Sequence, residues 1–331
     1  MLMRKFRKTV CLSRVYLRNR SRDRVRVAQC KICATRTRSS NDGPSATGPL
    51  ARSGVRRASR KNQHAAFWPL VCNTGFMIKT GRTYFFCGTS GLVLPVPNKA
   101  AFPEAYRNGT RLTYYSSLFN SIEINSSFYK IPRQKTLEHW TTETPPHFRF
   151  TLKLWRGITH ETGLSFHQKD IAAFMQAASG IGQKKGCLLV QLPPSAKPDN
   201  THQLQTLLRE LRTHDPDRTW PIAVEFRHPG WYTDKTSESL RQHGAGVVLQ
   251  DMPASSSWQE PGEGNFVYLR YHGPAGDYKG GYAKARLTQD AANIQRWLAV
   301  NKTVYVYFNN TIGDALIDLQ RLRELVLFPV A

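Results

Sequence analysis

Short apolar runs alternate with longer amphipathic stretches from about residue 84 to the end of the chain. The short runs are mostly continuous rather than alternating, which is typical of strands buried on both faces of a parallel sheet. Because such runs rich in β-branched and aromatic residues favour strands, they predict eight of them, over residues 84–87, 121–124, 148–152, 187–191, 221–225, 245–249, 266–271 and 303–308.

Four of the intervening stretches carry apolar residues at every third or fourth position, which places them on one helix face. They predict helices over residues 170–179, 201–212, 287–300 and 313–325. Eight strand–helix units in about 250 residues match an α/β fold of the (β/α)8 TIM-barrel type. An open doubly wound sheet is the alternative, but GTSG at residues 88–91 fits neither glycine-rich phosphate-binding motif.

Positive charge is concentrated at the start of the chain. The net charge is +24, and residues 1–76 hold 18 of the 47 Lys and Arg but only two of the 23 acids. This composition predicts a disordered basic extension over 1–76, followed by the barrel domain over 77–331. Three explanations stay open for the extension: a nucleic-acid-binding tail, an organelle transit segment, or an untranslated stretch preceding a start at Met77.

Membrane insertion and a disulfide framework both lack support in the sequence. No apolar run approaches the ~18 residues that cross a bilayer. Six cysteines in 331 residues are too sparse for a disulfide-stabilised fold. We therefore expect a reduced cytoplasmic protein, unless the extension targets it to an organelle.

Polar residues follow nearly every predicted strand, at the end where a TIM barrel builds its active site. Those with acid, base or charge-stabilising chemistry are the candidate catalytic residues Glu123, Lys153, His160, Glu225, His228, Asp251, Arg270 and His272. Those able to hydrogen-bond or stack are the candidate substrate-binding residues Ser90, Asn125, Tyr129, Gln191, Arg227, Trp231, Tyr278, Tyr282, Asn309 and Asn310.

Several kinds of chemistry remain open for these residues. Glu225, Asp251 and His272 end three consecutive strands and form a candidate ligand set for a divalent metal ion, the one cofactor considered. Without a metal, Glu123 and Glu225 are candidates for a carboxylate pair that cleaves glycosides. Both versions predict an enzyme for hydrolysis or isomerisation of a polar substrate that contains sugar or phosphate.

Two interpretations without catalysis compete with the enzyme. Lys153, Arg227, His228 and Arg270 are candidates for holding a phosphate-rich ligand or a nucleic-acid strand, as a binding module would. The other interpretation is a purely structural network of ion pairs at the barrel rim, for example between Glu225 and Arg227.

Six motifs in order resemble the YecE-like family, also called domain of unknown function 72. They are FNSIEINSSFY (119–129), GITH (157–160), VQLPPS (190–195), VEFRHPGW (224–231), YLRYHG (268–273) and YVYFNNTIGDA (305–315). Family members also begin with a strand and GTSG, whereas LVLP at residues 92–95 departs from the family pattern. The resemblance implies a (β/α)8 barrel over about residues 84–326 and no established reaction.

Overall fold

The computed structural model describes residues 84–258 and 261–329. The predictions for residues 1–76 lie outside this part of the chain. Within it, all eight predicted strands are present, with ends that differ by at most two residues from the prediction. They are β1 Phe85–Thr89, β2 Ser121–Ile124, β3 Arg149–Lys153, β4 Lys185–Gln191, β5 Ile222–Glu225, β6 Ala245–Gln250, β7 Phe266–Tyr271 and β8 Thr303–Phe308.

The strands form one parallel sheet that curls into a nearly closed barrel. Each strand pairs with its sequence neighbour from β2 to β8, and β8 pairs with β1. The remaining gap, between β1 and β2, is bridged by Ser90 opposite Glu123 and by the hydrogen bond from Gly91 N to Glu123 O at 2.8 Å. The predicted TIM-type barrel is confirmed, and the open sheet is excluded.

Helices connect the strands. Within the described residues the α-helices are α1 Arg111–Leu118, α2 Ser126–Tyr129, α3 Gln134–Thr142, α4 Arg156–Thr159, α5 Gln168–Ala178, α6 Thr201–Thr213, α7 Asp234–Gln242, α8 Lys284–Ala299 and α9 Ala315–Leu327. The four predicted helices correspond to α5, α6, α8 and α9. In α6, for example, the leucines that predicted the helix are its buried residues.

Two layers of apolar side chains hold the barrel together. The larger one lies between the strands and the helices, and the smaller one fills the barrel interior with Phe86, Cys187, Leu189, Ala223, Val248, Tyr268, Tyr305 and Tyr307. Two layers arise because successive side chains of a strand point to opposite faces. The interior is therefore packed, and the strand ends are where barrels of this type build their active sites.

The GTSG segment, predicted only as a loop signature, has a packing role in the barrel closure. A Cβ on Gly88 would lie 2.0 Å from the carbonyl oxygen of Ser121 on β2 and 2.8 Å from the hydroxyl of Tyr115. Only glycine lets β1 approach β2 this closely. At the other end of the segment Gly91 has φ +89°, a conformation that L side chains rarely adopt.

Candidate active site

Side chains that alternate along β7 build the floor of the barrel mouth. Tyr268, Arg270 and His272 are separated by two residues each, so all three point into the barrel. All three are buried. From β2, the buried Glu123 reaches the same space. The predicted convergence of strand-end residues is thus found for the residues on these strands.

Arg270 lies at the centre of the mouth and binds two carboxylates at once. Its Nε and Nη2 donate to the two oxygens of Glu123 at 3.0 and 2.7 Å. Its Nη1 donates to Oε2 of Glu225 at 2.5 Å. The side chain is only 1% exposed. Burial lowers its pKa, but the two carboxylates outweigh burial and keep the guanidinium charged.

Glu123 has two further donors. The Ser90 hydroxyl donates to Oε1 at 2.6 Å, and the Tyr268 hydroxyl donates to Oε2 at 2.5 Å. Tyr268 was not among the sequence candidates, because it lies within β7 rather than at its end. The period of two that links it to Arg270 is the signal that would have found it.

Glu225 is shared between two arginines. Besides Arg270, Nη2 of Arg227 lies 2.5 Å from Oε1, an ion pair whose angle falls outside hydrogen-bond geometry. Burial raises the pKa of Glu225, but the positive charges of Arg270 and Arg227 together hold it well below its usual range. Glu225 is therefore an ionised carboxylate and cannot donate a proton as a general acid.

His272 is held as a neutral ring with its proton on Nδ1. Nη2 of Arg227 and Nη1 of Arg270 lie 3.1 and 3.2 Å from Nε2. Because guanidinium nitrogens only donate, Nε2 must accept. Burial lowers the pKa of His272 and favours this uncharged form, against the effect of the nearby Asp251.

Asp251 fixes His272 from the β6 side. Its Oδ1 accepts from the backbone N of His272 at 2.8 Å and lies 3.4 Å from Nδ1. Its Oδ2 accepts from the Tyr282 hydroxyl at 2.5 Å. Tyr282 is thus a buried support of Asp251 rather than a surface for stacking, which corrects its prediction as a substrate-binding residue.

The predicted metal site is wrong, although Glu225, Asp251 and His272 are neighbours. Nε2 of His272, Oε2 of Glu225 and both oxygens of Asp251 already accept from Arg227, Arg270, a backbone N–H and Tyr282, although Oε1 of Glu225 accepts no hydrogen bond. Two guanidinium groups at the same point would also repel a divalent cation. Among the described residues, no three His, Cys, Asp or Glu side chains are arranged to hold a metal ion.

Lys153 is a cation without an anionic partner. Its Nζ lies 4.0 Å from the centroid of the Phe128 ring, and no carboxylate of the described residues is within ion-pairing distance. Burial lowers its pKa to about 8; the positive Arg270 adds to this effect, and Glu225 and Glu123 oppose it. At pH 8 both the amine and the ammonium are populated.

His160 lies beside this lysine. Its ring packs edge-on against Phe128 with centroids 4.8 Å apart, and its Nδ1 lies 2.8 Å from the Thr159 hydroxyl. Its Nε2 is 3.5 Å from Nε2 of Gln191. Burial lowers the pKa of His160 to about 4, with Lys153 contributing, so the ring is neutral at physiological pH.

Polar atoms without partners and exposed rings surround the mouth. Nε of Arg227 and Oδ1 of Asn125 are buried and have no hydrogen-bond partner among the described residues. Tyr129 is 70% exposed, and Tyr278 lies at the surface with its ring centroid 5.8 Å from that of His272. The substrate-binding role of these four residues stays a prediction.

Two other candidates, Trp231 and Asn310, serve the fold instead, whereas the roles of His228 and Asn309 stay predictions. Trp231 is 1% exposed, stacks on Phe226 and donates to the Ala196 carbonyl. Its prediction as a substrate-binding residue is wrong, because the indole ring is buried at the end of the short helical turn Pro229–Trp231. Asn310 is buried under the loop after β7, where it donates to Gly280 O. His228 accepts from Gly230 N, and Asn309 N donates to Tyr271 O; no hydrogen bond or ion pair of the described residues joins either side chain to Arg270.

The glycosidase arrangement stays a prediction that the contacts of its two carboxylates do not favour. Glu123 and Glu225 are bound by the same arginine, and a glycosidase needs one of its two carboxyl groups to be protonated.

Comparison with known proteins gives the family. The family model described as "Protein of unknown function DUF72" matches residues 86–328. The chain belongs to this family. The predicted resemblance is confirmed, and DUF72 covers the whole barrel from β1 to the end of α9.

Relatives of this DUF72 chain are bacterial proteins. The UPF0759 protein YunF of Bacillus subtilis is 26% identical over 258 residues, which cover 68% of this chain and 89% of YunF. The UPF0759 protein YecE of Escherichia coli K12 is 28% identical over 159 residues, covering 45% of this chain and 55% of YecE.

Two solved structures share the fold. A DUF72 family protein of Enterococcus faecalis V583 aligns with a TM-score of 0.61 at 19% identity, covering 75% of this chain and 97% of its own. A DUF72 family protein of Thermotoga maritima MSB8 aligns with a TM-score of 0.58 at 24% identity, covering 73% of this chain and 99% of its own.

Within the described residues, no helix has the length and apolar character to span a membrane.

Proposed function

We propose that this DUF72 protein is an enzyme that hydrolyses or isomerises a negatively charged small molecule by proton transfer through Lys153. The observation that carries the proposal is the isolated lysine itself. A largely buried ammonium without an anionic partner is costly to fold, so it is typical of a functional site rather than of a structural one.

The pKa of Lys153 suits this role. General acid–base catalysis is most effective when the pKa of the group lies near the working pH. With a pKa of about 8, the ammonium donates a proton below pH 8 and the free amine accepts one above it. His160 and His272 are neutral neighbours, so they do not compete for this charge at neutral pH.

The mouth has three basic side chains (Arg270, Arg227, Lys153) and three acidic ones (Glu123, Glu225, Asp251), so its unpartnered donors, rather than its net charge, favour an anionic substrate. Arg270 and Arg227 are balanced by Glu123 and Glu225 through ion pairs. Lys153 adds a positive charge on the β3 side, and the free Nε–H of Arg227 is a donor that lacks an acceptor. A phosphate or carboxylate group of the substrate would supply oxygens for both.

Arg270 and its two carboxylates provide a rigid floor for this chemistry. Every nitrogen of the buried guanidinium has an acceptor. Groups held in this way need no reorganisation during a reaction, which is the condition for electrostatic stabilisation in a protein site. The floor also fixes Arg227 and His272 next to the space over Lys153.

A non-catalytic binding module for a phosphate-rich ligand is the second candidate. The exposed rings of Tyr129 and Tyr278 favour it, because such rings stack on bases or sugars. A cytoplasmic location belongs to both candidates; the described cysteines, Cys87 and Cys187, are buried free thiols.

Variants of Lys153 test the enzyme proposal. The full chain is assayed with a panel of sugar phosphates, phosphate esters and hydroxy acids for hydrolysis and isomerisation, from pH 6 to 10. We expect kcat/KM to show an inflection near pH 8 that Lys153→Met abolishes with at least about a hundredfold loss, the usual scale of acid–base catalysis. An unchanged pH profile in Lys153→Met would contradict the proposal.

Two matched variants complete the experiment. Lys153→Arg keeps the charge but cannot titrate, so it should retain anion binding in a thermal-shift assay and lose turnover. Binding without turnover of any substrate in the wild-type protein supports the binding module instead. Lys184→Met removes a lysine that donates to Thr141 O and Thr144 O, and it should lower the melting temperature, whereas Lys153→Met should not.

A further inference from the structure

Two buried side chains behind the mouth carry oxygens that lack hydrogen-bond partners. Asp318 on α9 and Asn310 after β8 are both completely buried. Nδ2 of Asn310 lies 3.2 Å from Oδ2 of Asp318, so the two groups already share one hydrogen bond. Oδ1 of each has no partner among the described residues.

A single proton would satisfy both oxygens. An ionised carboxylate and an amide oxygen can only accept hydrogen bonds, so neither can serve the other. Each buried acceptor without a partner costs stability, and such groups are rare in folded proteins. A protonated carboxyl group has an O–H, which Asp318 would donate to Oδ1 of Asn310 while accepting from its Nδ2.

We propose that Asp318 is a neutral carboxylic acid in the folded protein and that its two-hydrogen-bond pair with Asn310 positions the loop over the mouth. The proposal concerns a residue outside the candidate active site. It stands independently of the reaction that the protein performs.

The charges around Asp318 agree with a protonated group. Burial, the largest influence, raises its pKa, although the hydrogen bonds from Tyr282 N and Asn310 lower it; the Asp314 carboxylate raises it further, and the net direction is upward. Arg321 also lowers the pKa but makes no ion pair with Asp318 among the described residues. Two other elements contact the carboxyl group of Asp318. The loop before α8 does so through Tyr282 N, and the segment after β8 does so through Asn310; both groups are uncharged. Asp318 lies in the first turn of α9, where the helix dipole favours the ionised form and so acts against the burial of the group.

The pair reaches the active site through a short chain of hydrogen bonds. Oδ2 of Asp318 accepts from Tyr282 N at 3.1 Å, and Nδ2 of Asn310 donates to Gly280 O at 2.9 Å. The hydroxyl of Tyr282 holds Asp251, which in turn holds the backbone of His272. Asp318 is therefore a positioning residue, acting through Tyr282.

The loop needs such an anchor. Gly273, Gly276, Gly280 and even Tyr278 adopt positive φ between 65° and 93°. A segment this rich in left-handed conformations has many alternatives in solution, so outside hydrogen bonds must select the observed one.

The Asp318→Asn variant tests the proposal, because asparagine reproduces a neutral acid with both of its hydrogen bonds. If the native group is protonated, its contribution to stability is complete below the unfolded pKa of about 3.9 and is lost as pH rises toward the raised folded value. We therefore expect wild type to lose melting temperature relative to Asp318→Asn as pH increases from 4 to 9. Asp318→Ala should be less stable than Asp318→Asn at every pH.

Hydrogen exchange supplies a readout of positioning. In Asp318→Ala the amides of Tyr282 and Gly273 should exchange at least about tenfold faster than in wild type, because the loop has lost its anchor. In Asp318→Asn at pH 6 they should exchange at the wild-type rate. That rescue separates a neutral pair from a carboxylate that merely fills space.

Three results would overturn the proposal. One is a carboxyl carbon of Asp318 that titrates at or below the ordinary aspartate pKa in NMR of the full chain. Another is Asp318→Asn being less stable than wild type at pH 7, since an ionised group would then have been stabilising. The third is a rise in wild-type melting temperature with Na⁺, K⁺ or Ca²⁺ that Asp318→Asn lacks, which would place a cation between the oxygens.

Discussion

At the scale of single residues, what matters most is which buried charge is balanced and which is not. Arg270 binds two carboxylates, and Arg227 pairs with Glu225, so the two positive and two negative charges of this group balance. Lys153 has no carboxylate of the described residues within ion-pairing distance to balance its charge. Removing one partner from the balanced group exposes the full desolvation cost of the other, whereas changing Lys153 removes an unpaired charge.

The Glu225→Gln variant tests the balance. It leaves Arg270 and Arg227 without the charge that compensates them, so we expect a loss of about 3 kcal/mol in the free energy of unfolding. The midpoint of urea unfolding, with the slope unchanged, measures it. Glu238→Gln breaks an exposed pair with Arg241 and is the matched control; its midpoint should not move. Equal midpoints for both variants would mean that the buried pair contributes nothing.

At the scale of elements, the closure between β1 and β2 differs from the other contacts between strands. Seven strand pairs form ladders, of which β3–β4 has a shift in register, but β1 meets β2 through one bridge at Ser90 and Glu123. The same two residues are joined by a side-chain hydrogen bond above the bridge. The residues that close the barrel, Ser90 and Glu123, therefore also form part of the floor of the site.

The Gly88→Ala variant tests the closure. Its Cβ would meet a backbone carbonyl at 2.0 Å, which a flexible side chain cannot relieve, so β1 must move away from β2. We expect a loss of about 3 kcal/mol or more in stability, the upper end for overpacking. Gly262→Ala, where a Cβ would meet nothing within 4 Å, should change stability by no more than about 0.5 kcal/mol. Both follow from urea unfolding curves.

At the scale of the whole molecule, all the strand pairing and the closing bridge lie within the described residues. The DUF72 match spans the same part of the chain. The basic residues 1–76 have no counterpart in that match. The strand pairing of the described barrel is therefore complete within residues 85–308.

Truncation tests whether the barrel depends on residues 1–76. We expect a chain over residues 77–331 to unfold at the same temperature as the full chain, measured by circular dichroism. A chain over 93–331 lacks β1 and leaves β8 and β2 with open edges, so it should show no cooperative unfolding. A markedly lower melting temperature for 77–331 would mean that the extension packs on the barrel.

The sequence alone determined the strands, four of the helices and the barrel. These depend on local periodicity and on the rule that consecutive strand–helix units place all strand ends on one rim. It also determined that Glu123, Glu225, Asp251, Arg270 and His272 meet. Each of them is one of the last two residues of a strand or directly follows one.

Only the tertiary structure decided how these residues pair. Arg270 could have taken one carboxylate and left Glu225 to a metal ion; the stagger between strands instead put both within its reach. Tyr268, Trp231, Tyr282 and Asn310 were misplaced or missed for the same reason. Whether a side chain near a strand end meets a ligand or a neighbour depends on distances across the barrel, and the order of residues along one strand does not contain them.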